Sequence, residues 1–474
     1  MLPDDVLLDI FYFHAKIVDK QEFRKKEIEE WIKLVHVCRR WRSLVFQSPF
    51  RLNLRLFCTH KTPLRDTLYI WPRLPLIICD LSLSPKGTSG ADNIIAALEH
   101  NDRVCRIGLR SISSSQLNCV TNSEAIQKPF LQLTVFSISP MVININKPAA
   151  ILRDSFLGGT APRLRSLTLW SVTFPGLSKL LLSTTHLVNL DLDYIPRAGY
   201  IPPEAMATNL SALTSLESLR LRFQFPRPRP ALESQRPPPR PLTRTILPSL
   251  TKLGFKGSSE YSEEILARID TPRLINLDVT FFNQIIFDTP QLFQLISRTP
   301  TPRAPKKCLI EFGCRSVFVR FFSHISDHGV RSLKILCKVS EWQLSSLQQV
   351  CTLSLPPAST LEDLYITEGS FGPPLRWQDD VENTLWLELL HPFAAVKNLH
   401  LCKKFAPRIA PALQELVGGR TTEVLPALEN ILLEGFQPSE PLHEGIENFV
   451  AARQLTSHPV AVSCSDKKQW EIYG

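Results

Sequence analysis

The chain has 474 residues, 44% of them hydrophobic, and this composition predicts a soluble globular protein. No apolar run approaches the roughly 20 residues that a membrane-spanning helix needs, so we do not expect a membrane protein. The 54 Lys and Arg exceed the 45 Asp and Glu and give a net charge of +9. These basic residues are spread out and no segment interleaves them with aromatic side chains, which weighs against a nucleic-acid-binding protein.

The first predicted element is an amphipathic helix in residues 2–11, LPDDVLLDIF. Pro3 suits a first helical turn because its φ is fixed, and Asp4 and Asp5 follow where the helix dipole favours carboxylates. The apolar residues at helical spacing on one face are Val6, Leu7, Ile10 and Phe11. This stretch is acidic and no basic residue precedes it, so we expect no signal peptide and a location in the cytosol or nucleus.

A second helical pattern covers residues 31–49, WIKLVHVCRRWRSLVFQSP. Its apolar residues recur at steps of three and four, with three arginines on the other side. Those apolar residues are Trp31, Leu34, Val35, Cys38, Trp41 and Val45. Residues 12–30 between the two patterns are highly charged, and Glu and Lys pairs four apart predict that they lengthen the second helix.

Residues 51–100 contain an apolar run at 76–83 that predicts a strand and a stretch at 92–98 that predicts a helix. Downstream, the phrase Leu-x-x-Leu-x-Leu recurs, with Val, Ile or Phe as substitutes. Clear copies begin at Leu164, Leu187, Leu216, Leu250, Leu274, Val330, Leu361, Val396 and Leu428, and weaker ones at Val104 and Phe130. The run at 308–312 is the candidate for a missing copy between 274 and 330. This periodicity predicts strands followed by helical returns that stack on their neighbours.

These residues resemble a known family. Residues 2–45 are similar to an F-box. They share with it the order Leu-Pro, an acidic first turn, an apolar stripe and then Val-Cys-x-x-Trp with interleaved arginines. Residues 49–80 and the repeats after them resemble the F-box and leucine-rich-repeat proteins that are abundant in mushroom-forming fungi. The resemblance implies an α/β protein with a helical F-box at 1–50 and a connecting region with a first cap or repeat at 51–100. An irregular leucine-rich-repeat solenoid of strand and helix repeats would fill 101–474.

F-box proteins are the substrate receptors of cullin-type (SCF) ubiquitin ligases. The resemblance therefore implies that the first helices bind a Skp-type adaptor and, through it, a cullin, while the repeats bind a protein substrate. Carried over position by position, the adaptor-facing residues are Leu2, Pro3, Leu7, Ile10, Phe11, Leu34, Val37, Cys38, Trp41 and Leu44. The length of the charged insert leaves open whether this docking geometry is kept.

The substrate-facing positions follow from strand alternation. If the second and third apolar residues of each copy face the core, the residues before them point outward from the sheet. From these outward positions we predict a substrate surface of Asn189, Asp191, Arg220, Asn276, Asp278, Lys334, Asp363, Tyr365, Asn398 and His400. Their mixed polarity suits a protein partner, whereas nucleic acid would favour a row of Lys and Arg.

No enzyme motif is present, so we expect no catalytic residue and no cofactor. The eleven cysteines contain no Cys-x-x-Cys pair, and we expect them to be buried small hydrophobic residues without a metal. Two proline-rich stretches, 225–241 and 299–307, favour extended solvated loops and are either plain insertions or docking segments. The main rival hypothesis is a scaffold outside any ligase, whose F-box-like helices cap the repeat array.

Overall fold

A computed structural model describes residues 2–16, 30–49, 51–52, 54–59, 68, 74–80, 91–140, 150–226, 244–282, 287–298, 305–322, 331–337, 342–354, 360–369, 383–437 and 441–465. The chain forms two compact units, Met1–Gln224 and Phe225–Gly474. Each unit is mixed α/β, as the sequence predicts, and has a mainly parallel sheet. Most of the charged insert and of both proline-rich stretches falls outside the described residues.

The first unit begins with three helices, α1 (Asp4–Lys16), α2 (Glu30–Val35) and α3 (Arg39–Gln47). The sequence predicted one continuous helix through 31–45, and the structure breaks it after α2. The cause is Cys38, whose backbone is extended (φ −158°, ψ 170°) and whose Sγ accepts a hydrogen bond from the Trp41 amide at 3.5 Å. Cys38 therefore caps α3 in the way that short polar residues usually do.

The core of this helical segment differs from the predicted stripe. The side chains buried between its helices are Leu7, Leu8, Phe11, Leu34, Val35, Leu44 and Val45. Val6 and Ile10, which share the predicted apolar face with Leu7 and Phe11, are 41% and 47% exposed. The predicted apolar face of α1 is therefore only partly buried, because α1 meets its neighbours through Leu7, Leu8 and Phe11.

The main sheet of the first unit consists of parallel strands. These are β1 (Leu56–Cys58), β2 (Leu76–Asp80), β3 (Val104–Ile112), β4 (Val135–Pro140), β6 (Ser166–Trp170), β8 (Asn189–Ile195) and β9 (Ser218–Phe223), in that spatial order. The pair β5 (Ala150–Ile151) and β7 (Val172–Thr173) stands apart. The helices are α4 (Ala91–Leu98), α5 (Ser114–Asn122), α6 (Leu177–Ser183) and α7 (Pro203–Ser211), with 3₁₀ turns at Ala125–Gln127, Phe156–Gly159 and Arg197–Gly199.

The leucine pattern explains how these strands align. Leu167 pairs with Leu190 across β6 and β8, and Leu190 pairs with Leu219 across β8 and β9. All three side chains are at most 1% exposed. The parallel register places the same position of each repeat side by side, so these leucines form one continuous buried row. Burial of this row contributes most of the packing free energy.

The second unit contains the remaining strands and helices. The strands are β10 (Thr245–Ile246), β11 (Lys252–Gly257), β12 (Ile269–Asp270), β13 (Asn276–Phe281), β14 (Lys307–Gly313), β15 (Ser316–Phe322), β16 (Arg331–Leu336), β17 (Asp363–Glu368), β18 (Asn398–Cys402), β19 (Asn430–Glu434) and β20 (Ala461–Ser465). The helices are α8 (Ser259–Arg268), α9 (Pro290–Arg298), α10 (Trp342–Ser354), α11 (Asn383–Leu390), α12 (Ala406–Gln414) and α13 (Glu444–Leu455).

One strand of the second unit's main sheet runs antiparallel to its neighbours. Its spatial order is β11-β13-β16-β15-β14-β17-β18-β19-β20, and β15 is antiparallel to both β14 and β16. The run at 308–312 does form a strand, but it does not follow β13 in the sheet as a missing copy would. A tight turn between Gly313 and Ser316 reverses the chain, so β16 lies beside β13 and β14 lies beside β17.

Candidate protein-interaction sites

The ten positions predicted to face an adaptor separate into two groups. Leu7, Phe11, Leu34 and Leu44 are buried inside the helical segment, and Trp41 is half-buried. These five residues hold the helices together, and their assignment as adaptor contacts stays a prediction. The exposed positions are Leu2, Pro3, Ile10, Val37 and Cys38.

A row of exposed apolar side chains lies along α1 and the residues before it. Leu2, Val6, Ile10 and Phe13 are 52%, 41%, 47% and 64% exposed and are spaced by four, four and three residues. This spacing places them on one face of a helix. We call this set the α1 apolar row. The residues predicted to face the adaptor include neither Val6 nor Phe13, although their spacing of four and three residues from Ile10 was a usable signal.

Three sets of contacts hold the α1 apolar row in position. The rings of Phe11 and Trp41 pack with centroids 4.6 Å apart. The Arg40 guanidinium donates to the Asp4 carboxylate and, from Nη2, to the Leu2 carbonyl at 2.7 Å. Arg51 Nη2 donates to Asp9 Oδ1 at 2.7 Å, and this hydrogen bond raises the pKa of Arg51. One side of α1 is therefore attached to α3, and the side with the α1 apolar row is exposed to solvent.

The ten predicted substrate-facing residues lie on the outward side of the strands. They are divided between the two units. Asn189, Asp191 and Arg220 belong to the first unit, and the other seven belong to the second. The exposed ones are Asn189, Arg220 and Asp278, and the half-buried ones are Asp191, Asn276, Lys334, Asp363 and Asn398. Tyr365 and His400 are only 6% exposed. Strand alternation therefore predicted the direction of these side chains but not their accessibility.

In the first unit, the outward charges are neutralised in pairs across β8 and β9. Arg220 Nη1 lies 3.0 Å from Asp191 Oδ2, and Arg222 Nη2 lies 2.7 Å from Asp193 Oδ2. Asp191 and Arg220 are direct register partners, a position at which opposite charges stabilise a sheet. This part of the strand face is polar but carries little net charge.

In the second unit, an amide and carboxylate ladder crosses the first residues of three strands. Asn398 Nδ2 donates to Asp363 Oδ1 at 2.7 Å, and Asn430 Nδ2 donates to Asn398 Oδ1 at 2.8 Å. Lys307 Nζ lies 3.5 Å from Asp363 Oδ2. The ladder ties β17, β18 and β19 together, so Asp363 and Asn398 have a structural role in addition to facing outward.

His400 is the most enclosed of the predicted substrate-facing residues. Its ring stacks on Tyr365 with centroids 3.9 Å apart. Its Nε2 lies 3.8 Å from Asp363 Oδ1 and its Nδ1 lies 3.7 Å from Glu434 Oε1. Burial alone would lower the pKa of His400, but the two carboxylates outweigh burial and raise the pKa. The imidazolium in turn acts with Asn398 and Lys307 to lower the pKa of Asp363, against the effect of burial.

The strands β13, β16 and β15 present a different set of outward residues. Ser332 Oγ donates to Asp278 Oδ1 at 2.7 Å, and Lys334 lies two residues after Ser332 on β16. Phe318 and Arg320 on β15 pair with Lys334 and Ser332 respectively. No strand was predicted at 316–322, so Phe318 and Arg320 were not among the predicted outward residues. Alternating apolar residues at Val317, Val319 and Phe321 were the available signal.

Within the described ranges, no group of three or more His, Cys, Asp or Glu side chains is arranged to hold a metal ion. Across those same ranges, no helix combines the length and apolarity that crossing a membrane would require. The cysteines are less uniformly buried than expected, because Cys38 and Cys119 are exposed.

Neither a comparison with models of known protein families nor a search of curated proteins gave a match for this chain.

Proposed function

We propose that this protein is a substrate-receptor subunit of a cullin-type ubiquitin ligase. The α1 apolar row would dock on a Skp-type adaptor, and the outward face of the strands would hold a protein substrate. The protein would carry out no bond chemistry itself. It would raise the effective concentration of a substrate near the conjugating enzyme.

The observation that carries this proposal is the exposure of the α1 apolar row. Leaving four large apolar side chains of one row in water is unfavourable, because full burial of one such side chain stabilises a protein by about 1.5–3 kcal/mol relative to exposure. The inner side of α1 already buries Leu7 and Phe11, so the fold does not need the outer row for its own core. A hydrophobic groove on a partner protein is the usual way in which such a row is covered.

The same exposure bears on the rival scaffold hypothesis. An end cap would bury its apolar face against residues 51–100 of its own chain. Ile10 and Phe13 are 47% and 64% exposed, which supports docking on a partner over capping. The resemblance of residues 2–48 to an F-box supports a Skp-type adaptor as that partner.

The test is to replace Ile10 and Phe13 with Asp in the full chain. Pull-down of a purified Skp-type adaptor should be retained by the unmodified chain and lost by this variant. Charged substitutions at the buried Leu7 would be uninformative, because they would unfold the helices. A matched control replaces Leu131 and Ile151, which are 55% and 62% exposed elsewhere in the same unit, with Asp, and it should bind normally.

Circular dichroism establishes that each variant is folded. If the unmodified, folded chain binds no adaptor, the proposal fails and the scaffold hypothesis takes its place. If the Ile10 and Phe13 variant binds as well as the control variant, the α1 apolar row is not the docking surface.

A further inference from the structure

A cleft of about 390 Å³ lies among the helices of the second unit. It is lined by one face of α11, by Gln348 of α10 and by residues from the segment 420–424, which precedes β19. Its volume falls within the range of sites that bind small ligands. We call it the α11 cleft. All of its lining residues belong to the described part of the chain, and none of them lies on a strand.

α11 presents four residues to the cleft, which are Thr384, Leu387, Glu388 and His391. Steps of three and four residues place these side chains on one face of a helix. His391 follows the last residue of α11, and its amide donates to the Leu387 carbonyl at 2.9 Å, so the helical path continues through it. Trp386 is fully buried and fixes α11 against the core. The cleft face of α11 is therefore held in a defined orientation.

A turn with two glycines leads the chain from α12 to the other side of the cleft. Gly418 and Gly419 have φ angles of 107° and 109°, a left-handed backbone that suits glycine. Directly after them, the Glu423 amide donates to the Arg420 carbonyl at 2.9 Å. Their side chains also meet, because Arg420 Nε donates to Glu423 Oε2 at 2.6 Å and Nη2 donates to Oε1 at 2.9 Å. Both oxygens of Glu423 therefore contact Arg420.

The α11 cleft is acidic, although the whole chain has a net charge of +9. Its lining contains the carboxylates of Glu388 and Glu423 and, among Lys and Arg, only Arg420. The hydrogen bonds to Glu423 raise the pKa of Arg420, and the nearby Glu415 adds to this. The charge of Arg420 is thus balanced by Glu423. Within the described ranges, the Glu388 carboxylate makes no hydrogen bond or ion pair, so its negative charge is available to a ligand.

The remaining lining of the cleft is apolar. Val424 is buried, and Leu387 and Pro392 are half-buried. A cationic side chain with a hydrocarbon stem matches this combination, since the stem packs on apolar surface and the charged end meets a carboxylate. Arginine matches it better than lysine does, because its guanidinium is planar, donates two parallel hydrogen bonds to a carboxylate and is more weakly hydrated.

We propose that the α11 cleft binds an arginine side chain of a protein partner. The stem of that side chain would pack on Leu387 and Val424, and its guanidinium would donate to Glu388. Both Glu388 and His391 are exposed, so the cleft is open to a side chain that remains attached to another protein. This inference goes beyond the proposed function, because the cleft includes neither α1 nor any outward position of a strand.

The experiment measures saturation-transfer difference NMR with the full chain, a method suited to weak ligands in fast exchange. The first probe is N-acetyl-arginine N-methylamide, for which we expect a dissociation constant on the order of a millimolar that rises with added salt. The lysine derivative should bind more weakly. The citrulline derivative, which has nearly the same shape without the charge, and the glutamate derivative should not bind. Agmatine, a free guanidinium compound without peptide groups, should bind no tighter than the arginine derivative.

Two variants of the cleft have opposite expected effects. Glu388→Gln should weaken binding of the arginine derivative at least about fivefold, because it removes the carboxylate that accepts from the guanidinium. Its matched control is Glu447→Gln, at an exposed position of α13. Arg420→Gln should tighten binding, because it removes a like charge and leaves Glu423 to the ligand. Its matched control is Arg298→Gln, at an exposed position of α9. Both controls should change binding less than about twofold.

Four results would overturn the proposal. They are no saturation transfer to the arginine derivative, equal losses in Glu388→Gln and Glu447→Gln, tighter binding of the glutamate derivative, and agmatine binding at least about tenfold tighter than the arginine derivative. The last result would assign the cleft to a small cationic metabolite instead of a protein. None of these measurements involves the adaptor or α1. A failure here therefore leaves the adaptor pull-down unaffected, and a failed pull-down leaves these measurements valid.

Discussion

Phe11 and Trp41 pack against each other with ring centroids 4.6 Å apart and ring planes at 59°, and this contact joins α1 to α3. Phe11 is fully buried, whereas Ile10, the preceding residue, is 47% exposed. Neighbouring residues of one helix therefore have opposite physical roles. Phe11 fixes α1 to its support, and Ile10 belongs to the α1 apolar row.

Replacing Phe11 with Ala should destabilise the helical segment by about 3–5 kcal/mol, because it removes a fully buried ring and leaves a cavity. Replacing Ile10 with Ala should change stability by about 0.5 kcal/mol or less, because the side chain is already in water. Hydrogen exchange of peptides from residues 4–16 and 39–47 measures both effects locally. Equal protection loss in the two variants would mean that Phe11 is not the anchor of α1.

His400 predicts a pH dependence for the stability of β17, β18 and β19. The folded pKa of His400 is raised above its ordinary value of 6.5, so its stabilising contribution is present below pH 6.5 and is lost as the pH rises through the folded pKa. The folded pKa of Asp363 is lowered below 3.8, so its contribution is present above pH 3.8 and is lost as the pH falls. The two contributions coexist between these values.

The measurement is the urea midpoint of the unmodified chain and of His400→Phe from pH 5.5 to 8.5. Phe keeps an aromatic ring beside Tyr365 but cannot ionise. The difference in midpoint between the two proteins should be largest at the acidic end and shrink as the pH rises. A difference that is constant with pH would show that His400 does not interact with Asp363 and Glu434 as a cation.

Glu263 predicts a second pH dependence. Its carboxylate accepts the amides of Gln291 at 2.6 Å and Leu292 at 3.0 Å and so caps the start of α9 from α8. Burial raises the pKa of Glu263 from 4.5 to about 7, despite these two hydrogen bonds. A raised carboxyl pKa stabilises the folded state below pH 4.5, and this contribution is lost as the pH rises to about 7.

Glu263→Gln keeps one acceptor oxygen for the α9 amides and removes the ionisation. The measurement is the protection of the α9 amides against hydrogen exchange, corrected for the intrinsic effect of pH on the exchange rate. This protection should fall between pH 4.5 and 7 in the unmodified chain and change less in the variant. The variant should also be less protected at low pH, because its amide group turns a donor toward one α9 amide. A parallel decline in both proteins would assign the pH dependence to another group.

The strands of this protein were largely predictable from the leucine triplets. Leu167, Leu190 and Leu219 each lie at the same position of their copy, and burial selects the same position in every copy because the strands pair in parallel. The helix predicted at 92–98 was also placed to within a residue, since α4 covers Ala91–Leu98. The spacing of buried apolar residues along a strand or helix is set by neighbouring residues of the chain, so it can be read from one sequence.

The antiparallel reversal at β15 and the accessibility of Tyr365 and His400 were not predictable in the same way. The direction of a strand depends on the turn before it, and the turn between Gly313 and Ser316 has no repeat pattern. The enclosure of His400 depends on Glu434 and Asp363, which are 34 and 37 residues away in the sequence. The break at Cys38 also escaped prediction, because helical periodicity continues through it.

The three strands β14, β15 and β16 have a consequence for how this chain can be rearranged. β13 is parallel to β16, and β14 is parallel to β17, so the sheet has the same direction on both sides of the reversed segment. An odd number of alternating strands leaves the polarity of its neighbours unchanged. A chain that joined β13 directly to β17 would therefore still present two strands of matching polarity to each other.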